Sequence, residues 1–214
     1  MIATHPLWLV LASFALALAP ILLGTVTSYI KVSIVLTLLR SGLGTQSIPG
    51  ALVVMALSMG ISLYVMAPTW DASVRAGQAL PLSQILSNPS LDTLKALVPV
   101  AAPWREFMQA HAGERELAAV SSFEFPENPQ PQKDQPGWRA VMLAFMLTEL
   151  RQAFCMGFVL LLPFLVIDLV VANVLVGLGM FMVTPSMISL PLKLMLFVVT
   201  DGWILLSRGL IHSY

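Results

Sequence analysis

Charge is what this 214-residue chain has least of: 10% of its residues are Asp, Glu, Lys or Arg, against about 25% in an ordinary soluble domain. Eleven basic residues cancel eleven acidic ones, so no basic field exists to hold a nucleic acid by counterion release. Cysteine is nearly absent too. Cys155 stands alone in an apolar run, which excludes an intramolecular disulfide and leaves a thiol expected to be buried by lipid or by a partner. Catalytic signatures are also missing. No G-x-x-x-x-G-K-[ST], H-E-x-x-H, G-x-G-x-x-G or G-x-S-x-G occurs, so neither a nucleotide site nor a hydrolase site is expected. His5, His111 and His212 lie far apart in sequence and read as surface histidines; no metal and no cofactor is expected.

What the chain has instead is hydrophobic length, at 57% of residues. Fourteen of its twenty-two charges fall between Asp71 and Arg139, and residues 1–30, 41–70, 152–167 and 169–192 carry none. A membrane-spanning helix needs about twenty mainly apolar residues, so four hydrophobic helical segments are predicted. The fold class is all-α and membrane-associated. Two long helical hairpins, residues 1–70 and 140–214, flank a small, polar, loop-rich middle domain at 71–139. The first segment runs from Leu7 to Tyr29 with Pro20 as a kink, and the second from Pro49 to Val65, ended by Pro68. Between them, residues 31–48 read as a connection whose Lys31 and Arg40 point it to the cytoplasm, leaving the middle domain on the periplasmic side. Ala17-Leu18-Ala19 has the small-residue look of a signal-peptidase site, but no basic residue precedes it and Pro20 follows directly, so the segment is expected to stay. In the middle domain Leu91–Leu97 and Pro103–His111 read as short helices, and Phe125 to Pro136 as a proline-rich loop.

The third segment keeps a helical pattern from Trp138 to Val176, about 57 Å at 1.5 Å per residue, nearly twice a hydrocarbon core of about 30 Å. Either Pro163 breaks it, or neighbouring subunits replace lipid around it. Glu149, Arg151, Asp168, Lys193 and Asp201 all sit in apolar surroundings, where charges need partners or water. One pairing follows from spacing. With Gly177, Gly179 and Pro185 marking a turn centred near Phe181, Asp168 lies thirteen residues before the centre and Lys193 twelve after it, so two antiparallel helices bring them to one height. The pair serves architecture as readily as transport. Methionine is the other abundance, twelve residues in all. Met55, Met59, Met142 and Met146, at i,i+4 spacing, read as ordinary core filling. Met180, Phe181 and Met182 do not, because a Gly-flanked turn at a hairpin tip is normally polar; they suggest a hydrophobic constriction that gates by excluding water.

These residues also carry a resemblance. The N-terminal arm has Thr27-Ser28-Tyr29-x-Lys31, Leu39-Arg40, Leu43-Gly44-x-Gln46 and Pro49, then Val65-Met66-Ala67-Pro68. The C-terminal arm has Glu149-Leu150, Gly157-Phe158, Pro163-Phe164, Ile167-Asp168-Leu169-Val170, Gly179-Met180, Ile188-Ser189-Leu190-Pro191-x-Lys193 and Asp201-Gly202-Trp203. In this order they make the chain resemble the SctR/FliP family, core export-apparatus proteins of type III secretion systems. The resemblance covers both arms and not the middle domain.

It implies a pentameric ring that assembles with SctS/FliQ-like and SctT/FliR-like subunits, alongside SctU/FlhB-like and SctV/FlhA-like components, at the bacterial inner membrane. It also implies hairpins assembled above the membrane plane, on the periplasmic side, rather than each spanning it. The family's methionine-rich constriction maps onto Met180, Phe181 and Met182, with Phe181 departing from the usual all-methionine run and Gly50 from a frequent second proline. Length and N-terminus look more like the secretion branch than the flagellar one. The expected function is passive gating of unfolded, secreted protein, without enzyme activity. Its rivals are an assembly scaffold and a small solute or ion transporter subunit; an intramembrane enzyme lacks its nucleophile and base.

Overall fold

The computed structural model describes residues 13, 14, 17, 24–44, 49–78, 80, 98–122 and 136–214. Among them there is helix and no strand. The elements are α1 (Tyr29–Gly42), α2 (Ala51–Gln78), α3 (Val98–His111), α4 (Glu114–Ser121), α5 (Trp138–Gly177), α6 (Pro185–Val199) and α7 (Gly202–Ile211). Most of the predicted segment from Leu7 to Tyr29, the helix expected at 91–97 and, Pro136 aside, the proline-rich stretch lie outside the described residues.

The connection predicted at 31–48 is helix up to Gly42. Val32, Val35, Leu36, Leu39 and Leu43 recur at the helical period and are all buried, which is the pattern of a core-facing stripe. Lys31 is buried with them. It is therefore no loop charge, which leaves Arg40 as the one basic residue behind the cytoplasmic orientation.

Helix α2 also outruns its predicted end, continuing through Pro68 to Gln78. Proline removes one ladder bond, too little to end a helix with intact turns on either side. Helix α5 carries Pro163 in the same way across all forty of its residues, about 60 Å of helix. Met55 and Met59, read as core filling, are exposed on α2.

The described residues form two compact units, divided at Tyr29/Ile30, at Ala67/Pro68 and at Met146/Leu147. In the first, Met108, Val141 and Phe145 make one small core, and Val120, Ala140 and Ala144 another. Trp70 and Trp104 meet edge to face at 5.0 Å, and the Arg105 guanidinium donates to the Pro136 carbonyl at 2.8 Å.

The second unit holds α1, the first part of α2, most of α5, and α6 and α7. Its core joins Val35, Leu39, Ile61, Phe164, Phe197 and Leu206, among others. Close helix approach is made possible by glycine. A Cβ on Gly157 of α5 would collide with Leu38 of α1, and one on Gly42 with Leu161 and Phe164. Replacing Gly157 with valine should therefore destabilise this unit by about 1–3 kcal/mol through overpacking. Thermal unfolding of the detergent-solubilised protein checks it, and an unchanged midpoint would mean that α1 does not approach α5 so closely. The fourth predicted segment is two helices rather than one: α6 and α7 meet at a bend of 63°.

Candidate functional site

The hairpin tip begins where α5 stops. Gly179 takes φ +74, its N–H bonds to the Val176 carbonyl at 3.0 Å, and the Met180 N–H reaches back to Leu175 at 2.9 Å. These are the two bonds of a Schellman C-cap, whose left-handed position glycine occupies without a Cβ penalty. Pro185 then starts α6 with its fixed φ and without needing an N–H partner. The short segment between leaves its apolar side chains exposed. Met182 is 98% exposed, Phe181 79% and Met180 44%. A bare apolar tip of this kind on a rigid stem is a surface waiting for apolar company.

Below the tip, Asp168 and Lys193 come together. The Lys193 ammonium lies 2.6 Å from Asp168 Oδ2 and also donates to the Gly42 carbonyl at 3.2 Å. Lys193 is buried while the Asp168 side chain remains partly exposed. The pair thus ties α5 to α6 and both to the C-terminal end of α1, where an ammonium also complements the helix dipole. Gly44 passes close to the same ammonium in a left-handed conformation.

At the other end of this unit lies a second charged cluster, which spacing did not reveal. Lys31 and Glu149 are both fully buried and form an ion pair at 3.1 Å. The ammonium also donates to Gln152 Oε1 at 2.9 Å and to the Ser213 carbonyl at 3.5 Å, and lies 3.6 Å from the centre of the Tyr214 ring. The Tyr214 hydroxyl donates to the second oxygen of Glu149. Burial pulls the Lys31 ammonium below the usual lysine pKa, with Glu149 opposing; burial and the adjacent carboxylate push the Tyr214 hydroxyl far above the tyrosine range. Tyr214 is therefore a neutral donor throughout the physiological range.

The remaining two predicted charges lie at exposed positions. Arg151 is on an exposed side of α5, since residues two apart on a helix do not share a face. Asp201 is exposed at the elbow between α6 and α7. Cys155 is exposed as well and lines an apolar groove of about 660 Å³ between α1, α5, α6 and α7. Among the described residues no group of three His, Cys, Asp or Glu could hold a metal.

Two helices, α2 and α5, are long and apolar enough to cross a membrane, and the bent α6 and α7 pair is a third if taken as one broken span. Long apolar helices pinned by ion pairs, with a bare apolar tip on one hairpin, define a class: helical-hairpin proteins with helices able to cross a membrane. The FliP family model matches residues 12–210, and the chain belongs to the FliP family. It is 37% identical to the flagellar biosynthetic protein FliP of Bacillus subtilis, covering 99% of this chain and 92% of that one. Identity is 38% to the hypersensitivity response secretion protein HrcR of Ralstonia nicotianae, over 96% of each chain. The Yop proteins translocation protein R of Yersinia pestis is also 38% identical, over 96% of this chain and 95% of that one. Identity thus favours neither the flagellar nor the secretion relatives.

Proposed function

We propose that this chain is a core subunit of a flagellar or type III secretion export gate, passing unfolded protein across the bacterial inner membrane. Membership of an export apparatus rests on the FliP family. The ring and the gate rest on the tip: three large apolar side chains presented in the open at the end of a forty-residue helix. Five copies around one axis would gather fifteen such side chains into a constriction too apolar for water and ions to fill. Methionine rotamers are soft, so the constriction can spread around an arriving polypeptide without gripping one sequence. Phe181 makes it stiffer than methionine alone would.

The stem supports this role. Helix α5, about 60 Å long, exceeds a hydrocarbon core of about 30 Å, which favours hairpins packed against other subunits above the membrane plane on the periplasmic side. SctS/FliQ-like and SctT/FliR-like subunits would complete the helical assembly, with SctU/FlhB-like and SctV/FlhA-like components on the entry side. Energy for export would come from those partners, since the chain has no nucleotide motif.

The experiment is a triple replacement of Met180, Phe181 and Met182 by glycine in the complete apparatus. Ion leakage across the inner membrane is expected to rise while the complex still assembles. Unchanged leakage and unchanged secretion would remove the gate and leave an assembly scaffold.

A further inference from the structure

Helix α7 has a buried face and a bare one. Gly202, Leu206 and Leu210 are buried. Opposite them Asp201, Ile204, Leu205 and Arg208 are exposed, Ile204 by 62% and Leu205 by 64%. Their spacing of i, i+3, i+4 and i+7 makes one stripe, with an acid at one end and a base at the other, about 10.5 Å apart. Charges two turns apart are too distant to pair with each other.

Asp201 gives its own helix only its backbone carbonyl, which accepts from the Ile204 and Leu205 N–H groups. It holds the N-cap position of α7 without a side-chain hydrogen bond, at φ 49 and ψ 45. It is the one non-glycine residue among those described with positive φ. Aspartate is among the few residues that adopt this left-handed conformation readily, and it forms the elbow at which α6 and α7 bend. Once a neighbouring subunit covers this apolar stripe both charges leave water, which is costly unless each is matched. A groove of about 510 Å³ runs alongside, lined by Tyr64 of α2 and by Trp203, Ile204, Ser207 and Arg208 of α7.

We propose that this stripe docks an apolar helix from a different subunit of the apparatus, one carrying a base and an acid two turns apart, its base on Asp201 and its acid on Arg208. A second copy of this chain does not fit. Asp201 and Arg208 are its only acid and base seven positions apart, so a copy would have to present its own α7, antiparallel for the charges to match, which demands a twofold axis, and a five-membered ring has none. The inference rests on the reading of the chain as a ring subunit of an export complex, and not on the gate at the tip.

The test places a photo-reactive phenylalanine at position 204 in cells holding the whole apparatus. The expected adduct is with another subunit, and mass spectrometry should map it to a helix with a basic and an acidic residue seven positions apart. The charge-free variant Asp201→Asn with Arg208→Gln should abolish that adduct and lower secretion at least tenfold, since asparagine tolerates the left-handed backbone and the elbow still forms. An adduct only with a second copy, no protein adduct, or an adduct indifferent to the charge-free variant overturns the proposal. The same cells carry a probe at position 182. Loss of substrate adducts there with retention at 204 would strike the gate reading alone, and the reverse would strike the docking stripe alone.

Discussion

Lys31→Met is expected to lower the stability of this protein by about 3–5 kcal/mol, because it leaves the fully buried Glu149 carboxylate without its ammonium. The magnitude follows from an asymmetry. A buried ion pair adds little net stability over well-packed apolar residues, whereas half of one leaves an uncompensated charge in a low-dielectric interior. Lys31 also binds Gln152 and the Ser213 carbonyl, so its loss frees the C-terminal residues as well as the α1–α5 contact. A domain is stable by only about 5–15 kcal/mol, so the variant should accumulate poorly in membranes and unfold at a clearly lower temperature in detergent. Adding Glu149→Gln should restore much of the loss, since a neutral amide oxygen still accepts from the Tyr214 hydroxyl. If Lys31→Met unfolds like the parent, the ion pair is not what holds α1 to α5.

Asp168→Ala is expected to cost about 1–3 kcal/mol, less than the Lys31 change because the Asp168 side chain is partly exposed and water can take over part of its role. The Lys193 ammonium, nearly buried, would keep the Gly42 carbonyl as a neutral acceptor. Because the pair sits beneath the tip and joins α5 to α6, the change should also loosen the stem that presents Met180, Phe181 and Met182. Lys193→Met in the same chain should recover stability, methionine filling the space with no charge to satisfy. A double-mutant cycle on thermal unfolding reads the coupling directly. Additive losses would show that the two side chains do not act as a pair.

How much of this was legible in the sequence depended on how local the signal was. The long apolar run from Trp138 onward can satisfy its backbone within its own segment only as a helix, so α5 was readable almost to its last residue. Asp168 and Lys193 could be set opposite each other because a glycine- and proline-marked turn lies midway between them, and short hairpins fix heights by counting. Lys31 and Glu149 are separated by more than a hundred residues with no such turn between them, and nothing local announces the pair. The apolar period from Val32 to Leu43 was present nonetheless. Reading Lys31 as a loop charge overlooked that stripe and misassigned α1. The elbow at Asp201 had a signal too, an Asp-Gly dipeptide, of the kind that marks turns, set inside a segment whose apolar composition suggested one continuous helix. Met55 and Met59 show the remaining limit. Helical spacing identifies a face, and only the arrangement of neighbouring helices decides whether that face is covered.

A gate at the Met180–Met182 tip requires that the tip lie on the export path. Site-specific photo-crosslinking from position 182 tests it most directly, in cells whose apparatus holds an export substrate stalled by a folded tag, with position 108 in the small core of the first unit as control. Adducts with the stalled substrate are expected from 182 and none from 108. Adducts from 182 with neighbouring subunits alone, while stalling is verified, would contradict this and make the tip a packing element of a scaffold.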